Sequence, residues 1–567
     1  MEGADTMATM KKDANYTIGI DYGSNSVRAV VADVRDGSEI GAAVFQYPSG
    51  DAGVLTDRKN PHVARQNPMD FLLGLEAVVK GALKAAAKTR GFAPDKVAGI
   101  GVDTTGSTPI PVDAALRPLA FQPKFAKNLN AQAWMWKDHT AMDEATKITA
   151  LAAKMHPEYL AKCGGTYSSE WFFAKLWHCL NTDPAVFKAA HTWIEFADYI
   201  PAVLAGVKSL DKLKIGICAA GHKAMFNADW DGYPEAKFLA KLHPELGKLR
   251  NRLCAQAHTV DQPAGRLCRE WADKLGLPAG IVIAVGAFDA HLGAVGAGVA
   301  PGRMVKIIGT STCDCLVAPP KAAIPDIPGV CGIVKGSILP GSLAIEAGQS
   351  AVGDIFNWFV AKVCEGDASL HAELTRQAAA LKPGESGLLA LDWNNGNRTI
   401  LVDQRLTGLL LGMTLHTSRA EIYRALIEAT AFGARRILDR IAEYGVEVRE
   451  VVACGGIAEK NPLFMQIYAD VLGRPVKISR SSQTCALGSA IAAAAAAKAH
   501  PSMPAAQKAM CGFKDTVYKP TPAGRRAYER LYELYCELHD SFGVKGATFD
   551  HFGVMKSLLE ISRSARA

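Results

Sequence analysis

Long apolar segments are missing from this sequence. No uncharged stretch reaches the ~20 strongly apolar residues that a membrane-spanning helix requires, and the first residues, 1–16, have no apolar core of the kind a secretion signal carries. The alanine run 492–497 ends at Lys498 and is typical of a helix packed closely on a neighbour. We therefore expect a cytoplasmic protein with no membrane partner and with a disordered segment at residues 1–15.

Blocks of like charge are also missing. The chain has 63 lysines and arginines against 56 aspartates and glutamates, a net charge of +7, but the two signs alternate along the whole length. Basic tails that bind nucleic acid contain runs of like charge, so no nucleic-acid partner is expected. A mild positive balance is compatible with an anionic small molecule such as a nucleotide.

The thirteen cysteines contain no CxxC pair and no Cys/His spacing suited to zinc. They are scattered from Cys163 to Cys536, which predicts reduced thiols in a folded core. Cys313 and Cys315 would share one face of a strand, and small core residues are the favoured interpretation of that pair. No structural metal is predicted.

Length and composition indicate a large folded protein. At 567 residues, with 49% apolar and 21% charged residues, the chain is too long for one hydrophobic core and resembles an average globular protein. The pattern of strands and helices is that of an α/β protein. Two large α/β lobes would account for the length.

A strand, polar turn and returning strand occur twice. The first hairpin comprises strands at 16–20 and 27–33 around a polar turn, and the second comprises strands at 303–308 and 313–318. Later in each half an amphipathic helix, which begins at Pro68 in the first half and at Arg419 in the second, is followed by a strand and a glycine-containing turn. This repetition predicts a duplicated fold with lobes at 16–298 and 299–567 and a functional cleft between them.

The two polar turns are candidate phosphate-binding loops. Small residues in a tight turn expose backbone N–H groups that can surround a phosphate. The residues concerned are Gly23, Ser24, Asn25 and Ser26 in the first turn, and Gly309, Thr310 and Ser311 in the second. Each turn alone is more typical of a plain connection, but two matched hairpins in one chain favour a nucleotide site.

Two aspartates are candidates for chemistry. Asp21 ends the first strand, where a carboxylate could hold magnesium through water, although it could also simply stabilise the turn. Asp289 follows a buried apolar strand in a glycine-rich segment, where an acid is costly unless it is used or paired. Asp289 is therefore the candidate catalytic base, with a helix cap as the alternative and metal binding as a further role.

Several glycine-containing segments add candidate binding residues. Gly106, Lys223 and Glu346 each lie in an apolar setting with neighbouring polar residues, which suits a polyhydroxyl ligand. An internal ion pair between Lys223 and Glu346 explains those two residues equally well. Gly455 and Gly456 would let adenosine approach the backbone, although a tight turn between strand and helix is the plainer interpretation.

Taken together, these segments resemble the FGGY carbohydrate kinases of the actin-like ATPase superfamily, over about Tyr16 to Gly488. The motifs that carry the resemblance to the family are DYGSNSVRA from Asp21, IGTSTCD from Ile308 and CGGIAEKNP from Cys454. Further motifs are similar to members that phosphorylate ribulose: VDTTGSTP from Val102, WKDHT from Trp136, SSEWFFAK from Ser168, AAGHKA from Ala219, GAFDAH from Gly286 and IEAGQSAVGD from Ile345.

The resemblance implies two actin-like (ribonuclease H-like) ATPase lobes with a nucleotide and sugar cleft between them. It implies a homodimer that uses ATP and Mg²⁺ to phosphorylate L-ribulose, a step of L-arabinose catabolism. A kinase of another ketopentose or polyol, such as D-ribulose or xylulose, is the near alternative, and an actin-like ATPase without a sugar is the distant one.

The resemblance also implies roles for single residues. Asp289 would be the base for the sugar hydroxyl, Lys223, Glu346 and the backbone at Gly106 would hold the sugar, and Asp21 would belong to the magnesium site. Arg28 and Asn461 lie in the matched nucleotide motifs and would join the ATP site. Some relatives have alanine where Gly106 aligns, which implies a small difference in pocket volume.

Overall fold

The computed structural model describes residues 15–319, 322 and 324–566. The segment predicted to be disordered, 1–15, lies outside the described residues except for Asn15. Within the described part of the chain, no helix is both long and apolar enough to cross a membrane.

The first half is built on a mixed sheet of seven strands. In spatial order six of them are Pro263–Arg266, Val282–Ala284, Val97–Thr104, Tyr16–Tyr22, Ser26–Asp33 and Glu39–Gln46, and the seventh, Ala287–Phe288, pairs with Val97–Thr104. The predicted first hairpin is present, with Asp21 opposite Arg28 in the antiparallel register. The central strands Tyr16–Tyr22 and Val97–Thr104 run parallel, and their carboxyl ends lie side by side.

The second half contains a sheet of the same design. Its order is Gly332–Lys335, Leu343–Ala347, Thr312–Ala318, Arg303–Ile308, Glu450–Cys454, Val476–Ser479 and Phe513–Tyr518. In both sheets antiparallel strands flank three neighbouring parallel strands, and the hairpin lies at one border of these three. The predicted duplicated α/β architecture is therefore confirmed.

Helices and short strands complete the fold. The helices of the first half are Pro68–Ala86, Met142–Met155, Pro157–Ala161, Phe172–Thr182, Pro184–Ala189, Phe196–Ala205, Ile217–Lys223, Ala236–Leu242, Pro244–Leu249, Arg269–Leu275 and Asp289–Gly296. Those of the second half are Gly353–Trp358, Leu370–Ala379, Arg419–Glu443, Gly456–Lys460, Pro462–Leu472, Thr484–Ala496, Met503–Met510, Pro522–Gly543 and Val554–Arg566. Outside the two main sheets, one three-stranded sheet comprises Leu55–Asp57, Asn60–Gln66 and Ala133–Trp134. Three strand pairs comprise Pro109–Val112 with Thr192–Glu195, Ile215–Gly216 with Ala257–His258, and Leu389–Leu391 with Leu409–Leu411.

Local sequence signals explain where the main helices begin. The side chain of Asn67 accepts a hydrogen bond from the backbone N–H of Met69, and Pro68 occupies the first helical position. The 25-residue helix Arg419–Glu443 begins with a capping box between Ser418 and Glu421. Both starts coincide with the predicted ones, because each cap is made by residues that are close in sequence.

One helix of the second half packs on the sheet of the first half. Thr484–Ala496 lies against the strands Tyr16–Tyr22 and Val97–Thr104 and against the helix Asp289–Gly296. The approach is so close that a Cβ at Gly19 would lie 1.7 Å from the carbonyl oxygen of Ala486, and one at Gly101 would lie 2.0 Å from that of Ser489. The predicted lobes are thus joined through direct backbone contact.

Small residues fill the space between the two sheets. A separate buried cluster there draws alanines from the helix 484–496 together with Val305 and Val452 of the second sheet and Ala32 of the first. The cores of the two halves are larger and richer in aromatic residues. Because alanine and glycine let backbones approach closely, this middle layer is thin and sensitive to added volume.

Gly19→Ala is expected to destabilise the protein, because the new methyl group would overlap the backbone of the helix 484–496. Overpacking of this kind costs about 1–3 kcal/mol, and more where the obstacle is backbone. Thermal melting should show a clear fall in the midpoint temperature. Gly553→Ala is the matched control, because nothing lies within 4 Å of a Cβ at Gly553, and equal midpoints for the two variants would contradict the packing described here.

Candidate active site

Three aspartates meet at the carboxyl edge of the first sheet. Asp21 and Asp103 are register partners on neighbouring parallel strands, and Ala287, two residues before Asp289, pairs with Asp103. Asp289 itself begins the helix Asp289–Gly296. Parallel pairing therefore brings together side chains that are more than 180 positions apart in the sequence.

Burial and mutual repulsion raise the pKa values of these carboxyl groups. Burial, assisted by the charge of Asp21, raises the pKa of Asp289 to about 7. Burial also raises the pKa of Asp21, although the guanidinium of Arg28, 3.3 Å away, opposes the rise. For Asp103 burial and the neighbouring Asp21 raise the pKa well above its ordinary value. The edge thus holds more negative charge than its own partners neutralise.

At this edge one carboxylate oxygen has no hydrogen-bond partner in the part of the chain that the structure describes. The hydroxyl of Ser489 donates to one oxygen of Asp103 at 2.6 Å, whereas the other oxygen, Oδ1, is buried and has no hydrogen-bond partner among the described residues. Carboxylate oxygens, held directly or through water, are the ligands that Mg²⁺ prefers. A cation here would also relieve the repulsion among Asp21, Asp103 and Asp289.

Lys223 and Glu346 form a buried ion pair that joins the two halves. The ammonium lies 3.0 Å from Oε1 of the carboxylate, and side-chain exposure is only 9% and 12%. His291 Nε2 lies 3.0 Å from the other carboxylate oxygen, and His222 Nδ1 lies 3.4 Å from it. The ion pair predicted as one of two interpretations is present, and it is supported by two histidines that the sequence interpretation missed.

The electrostatics of this cluster differ from those of the sheet edge that carries Asp21, Asp103 and Asp289, which we call the aspartate edge. Burial alone would raise the pKa of Glu346, but the Lys223 ammonium and the two histidines together outweigh it and hold the pKa well below its usual range. Burial and the nearby His291 lower the pKa of His222, so its ring is neutral at pH 7. The ligand atoms of His222, His291 and Glu346 lie within 4.8 Å of one another, and Lys223 supplies the positive charge beside them.

Aromatic rings frame the ammonium of Lys223. Its Nζ lies 5.4 Å from the ring centre of Trp171 and 5.9 Å from that of Phe288. Phe288 is buried, and its ring also covers Gly106, where a Cβ would lie 1.7 Å from Phe288 Cε1. Gly106, Lys223, Asp289 and Glu346 therefore surround one region, as predicted for a polar ligand, and Phe288 lies among them.

The first polar turn is held by long-range contacts. The backbone N–H of Gly23 donates to the carbonyl of Ser26 at 2.9 Å, closing the turn. Trp136 Nε1 donates to the hydroxyl of Ser24 at 3.0 Å, and Gln66 donates to the Ser24 carbonyl at 3.0 Å. Asn25 is exposed and donates to the carbonyl of Ala52 at 2.6 Å. The turn is thus fixed before any ligand arrives.

The second polar turn is exposed and abuts a helix. The N–H groups of Gly353 and Asp354, at the start of the helix Gly353–Trp358, donate to the carbonyls of Gly309 and Thr310 at 3.1 Å each. The carbonyls are thereby occupied. A Cβ at Gly309 would meet only the Ser311 carbonyl, at 3.9 Å, so the protein itself leaves room there for a larger residue. Because the protein itself does not require glycine at position 309, a ligand that approaches the backbone there would explain the glycine.

The glycine turn after the strand Glu450–Cys454 has two different glycines. Gly455 has φ of 100°, and a Cβ there would lie 2.1 Å from the Ile308 carbonyl, so the fold itself requires glycine. At Gly456 nothing lies within 4 Å. Gly456 is therefore open to a ligand, whereas the tight-turn interpretation accounts for Gly455.

Other predicted nucleotide residues have structural partners. Arg28 forms the ion pair with Asp21 and donates to Oε1 of Gln483, a contact between the halves at 3.4 Å. The side chain of Asn461 accepts a hydrogen bond from the backbone N–H of Phe464 and so caps the helix Pro462–Leu472.

The two cysteines on the strand Thr312–Ala318 lie with their sulfurs 3.8 Å apart. Cys315 is buried in the core, as predicted for a small core residue, and Cys313 is partly buried.

Two buried residues, Lys175 of the SSEWFFAK motif and Glu195, support the segment that contains Gly106. Lys175 is fully buried, donates to the carbonyls of Ser107 and Met135 at 2.8 Å each, and burial lowers its pKa to about 8. Glu195 accepts from the Ser107 hydroxyl and from the backbone N–H of Thr108. These contacts fix the segment that follows Asp103 and contains Gly106. Sequence interpretation missed Glu195, because its partners lie almost 90 positions away.

Comparison with known proteins identifies the family. The description "FGGY family of carbohydrate kinases, N-terminal domain" matches residues 16–296, and the C-terminal domain of the same family matches residues 304–497. The chain belongs to the FGGY carbohydrate kinases. Among curated relatives, a ribulokinase of Vibrio parahaemolyticus is 41% identical over 94% of this chain and 97% of its own length. One of Shouchella clausii is 41% identical over 97% and 98%.

Solved structures share the fold of this FGGY kinase. The ligand-bound xylulose kinase of Lactobacillus acidophilus superposes with a TM-score of 0.77 at 19% identity and covers 94% of this chain and 99% of its own. The xylulose kinase of Rhodospirillum rubrum gives 0.75 at 23% identity, covering 93% and 98%. At these identities the likeness concerns the fold alone, and it confirms the predicted two-lobed actin-like class.

Lys223→Met is expected to destabilise this FGGY kinase, because it leaves the carboxylate of Glu346 buried without its ammonium partner. Removing one member of a buried pair costs about 3–5 kcal/mol. Chemical denaturation would measure the loss. Lys162→Met is the matched control, since Lys162 and Asp326 form a more exposed pair worth at most about 1 kcal/mol. Equal losses for the two variants would contradict the role given to the buried pair.

Proposed function

We propose that this FGGY kinase transfers the γ-phosphoryl group of ATP to the 5-hydroxyl of L-ribulose, giving L-ribulose 5-phosphate and ADP in L-arabinose catabolism. One observation carries the proposal: Asp289 lies beside Asp21 and Asp103, at the phosphate end of the site. The helix that Asp289 begins also carries His291, which lies 3.0 Å from Glu346 of the Lys223–Glu346 pair, at the sugar end. A carboxyl group between a nucleotide site and a polyol site is what a sugar kinase needs. The curated relatives named ribulokinase support the choice of sugar.

The sugar end recognises hydroxyl groups. Glu346 is an ionised acceptor and Lys223 a charged donor, and each retains hydrogen-bonding capacity beyond their mutual contact. The backbone around Gly106 adds further polar groups in the same region. A polyhydroxyl ketose satisfies donors and acceptors together, which a purely anionic or apolar ligand does not.

Asp289 orients the attacking hydroxyl and accepts its proton. The loose transition state of phosphoryl transfer needs little basicity from the enzyme, so positioning is the larger part of this role. A pKa of about 7 lets the carboxylate form exist at neutral pH and still take up a proton. The backbone N–H of Ala290 donates to Asp289 Oδ1 at 2.6 Å and fixes the direction of the group.

The two polar turns hold the phosphates of ATP from opposite halves of the protein. Backbone N–H groups around Gly23 and Gly309 stabilise the charge that spreads over the phosphoryl oxygens. Gly456 lies open beside the second turn and leaves room for the adenosine. Mg²⁺, held by Asp21 with Asp103 and Asp289 nearby, would neutralise phosphate charge when bound.

The alternative of an actin-like ATPase without a sugar substrate does not account for the sugar end. Such a protein needs the phosphate turns and the aspartates but has no use for the buried Lys223–Glu346 pair with its two histidines. A kinase of D-ribulose or xylulose would use the same apparatus. The substrate panel described next separates all three.

The first test is ADP release with MgATP and a panel of sugars: L-ribulose, D-ribulose, D-xylulose, L-xylulose, glycerol and no sugar. We expect the highest kcat/KM with L-ribulose. Asp289→Asn should lower kcat about 100-fold to 10,000-fold, because an amide cannot accept the proton, while melting as the parent does. Comparable ADP release without any sugar would refute the kinase assignment, and a preference for xylulose or D-ribulose would refute the substrate.

The second test is the pH profile of kcat/KM. Because the carboxylate of Asp289 is the active form and its pKa is raised to about 7, activity is expected to be full above that pH. It should fall about tenfold per pH unit below it. Circular dichroism at each pH controls for unfolding. A profile that stays flat from pH 8 down to pH 5.5 would argue against Asp289 as the group that accepts the proton.

Compartment and assembly follow from the same proposal. All thirteen cysteines are free thiols, which suits the reducing cytoplasm where ATP is abundant. The homodimer remains a prediction of the family resemblance, and small molecules, not nucleic acids, are the expected partners. Light scattering of the purified protein tests the assembly.

A further inference from the structure

Phe288 occupies the centre of the proposed sugar site. It directly precedes Asp289, its ring centre lies 5.9 Å from Lys223 Nζ and 6.0 Å from the ring of His291, and only 4% of the residue is exposed. His291 in turn contacts Glu346. A single buried ring therefore adjoins the proposed base and the groups that hold the ketose.

The same ring lies directly against Gly106. A Cβ placed on Gly106 would be 1.7 Å from Phe288 Cε1, 2.0 Å from Cδ1 and 2.3 Å from Cζ. Contacts this short do not exist between real atoms, so either the ring or the backbone would have to move. Gly106 does not have a positive φ. The Phe288 ring therefore leaves no room for a side chain at position 106.

We propose that Gly106 and Phe288 form a matched pair that sets the wall of the ketose pocket, with Phe288 as a determinant of sugar specificity. The inference rests on the proposed function. The Phe288 ring fills the space beside position 106, where glycine has no side chain. Added volume at 106 is compatible with the site only if volume is removed at 288.

Displacement of the Phe288 ring is expected to affect sugar specificity because of the residues that surround the ring. Phe288 belongs to the close-packed cluster between the two sheets, and its backbone N–H contacts Cys218 Sγ at 3.4 Å. Lys223 and His291 are among the neighbours of the ring, at 5.9 Å and 6.0 Å from its centre. Crowding at Gly106 that displaces the ring therefore changes the surroundings of the groups that hold the sugar.

Removal of the Phe288 ring changes the pocket in the opposite sense to crowding at Gly106. Phe288→Val eliminates Cδ1, Cε1 and Cζ, the three atoms nearest to Gly106, and suits the strand in which residue 288 lies. The pocket becomes wider beside Lys223. Loss of complementary apolar surface weakens discrimination between sugars of different size by about 10-fold or more. Activity with a ketohexose should therefore rise relative to activity with L-ribulose.

The experiment is a double-mutant cycle of the parent, Gly106→Ala, Phe288→Val and the double variant. Michaelis constants are measured separately for L-ribulose and for ATP, together with thermal midpoints. Each single change should raise KM for L-ribulose about 10-fold and leave KM for ATP within about twofold. The double variant should bind L-ribulose better than Gly106→Ala does. Gly553→Ala, in open space, is the control and should match the parent.

Several outcomes would overturn the inference. Additive effects in the cycle would show that the two positions are not matched. Equal rises in KM for both substrates would indicate a general structural role. If Gly106→Ala fails to fold, the double variant is still expected to fold, and its failure would refute the pairing. A parent that phosphorylates no ketopentose refutes the proposed function instead, and the pairing is then judged from the thermal midpoints alone.

Discussion

Direct backbone contact between the helix Thr484–Ala496 and the first sheet is the constraint on which the rest of the structure depends. Gly19 and Gly101 lie under carbonyls of this helix at distances that exclude any side chain. The same helix carries Ser489, which donates to Asp103. One packing contact thus joins the two halves, aligns their phosphate turns and places a hydroxyl on the aspartate edge.

Charge is arranged in two neighbouring groups with opposite behaviour. At the aspartate edge, burial raises the pKa values of Asp21, Asp103 and Asp289, and the charge of Asp21 adds to the rise for the other two. At the sugar end, Lys223 and two histidines overcome the effect of burial and keep Glu346 ionised. Such divergent environments within one cleft allow one carboxyl group to accept a proton and another to act as a permanent acceptor.

A second buried network supports the phosphate turn of the second half. Lys306 Nζ lies 2.9 Å from both oxygens of Asp314 and 2.9 Å from Gln349 Oε1. Gln349 donates to Asp392, which also accepts from the hydroxyl of Tyr535 on the helix Pro522–Gly543. The helix Pro522–Gly543 is thereby connected to the strands around Gly309. A fully satisfied network of this kind makes the turn rigid.

Local features were determined by the sequence itself. The two hairpins, the helix beginning at Pro68 and the candidates Asp21 and Asp289 could be predicted, because turns, caps and strand ends depend on residues close together in the chain. Family motifs then supplied the expected sugar residues. What only the tertiary structure decided are contacts between distant residues: Asp103 beside Asp21, His222 and His291 on Glu346, and Phe288 over Gly106. The motifs contain these residues, but no local pattern shows that they meet, since their contacts arise from the parallel pairing of strands and the closure of two halves around one helix.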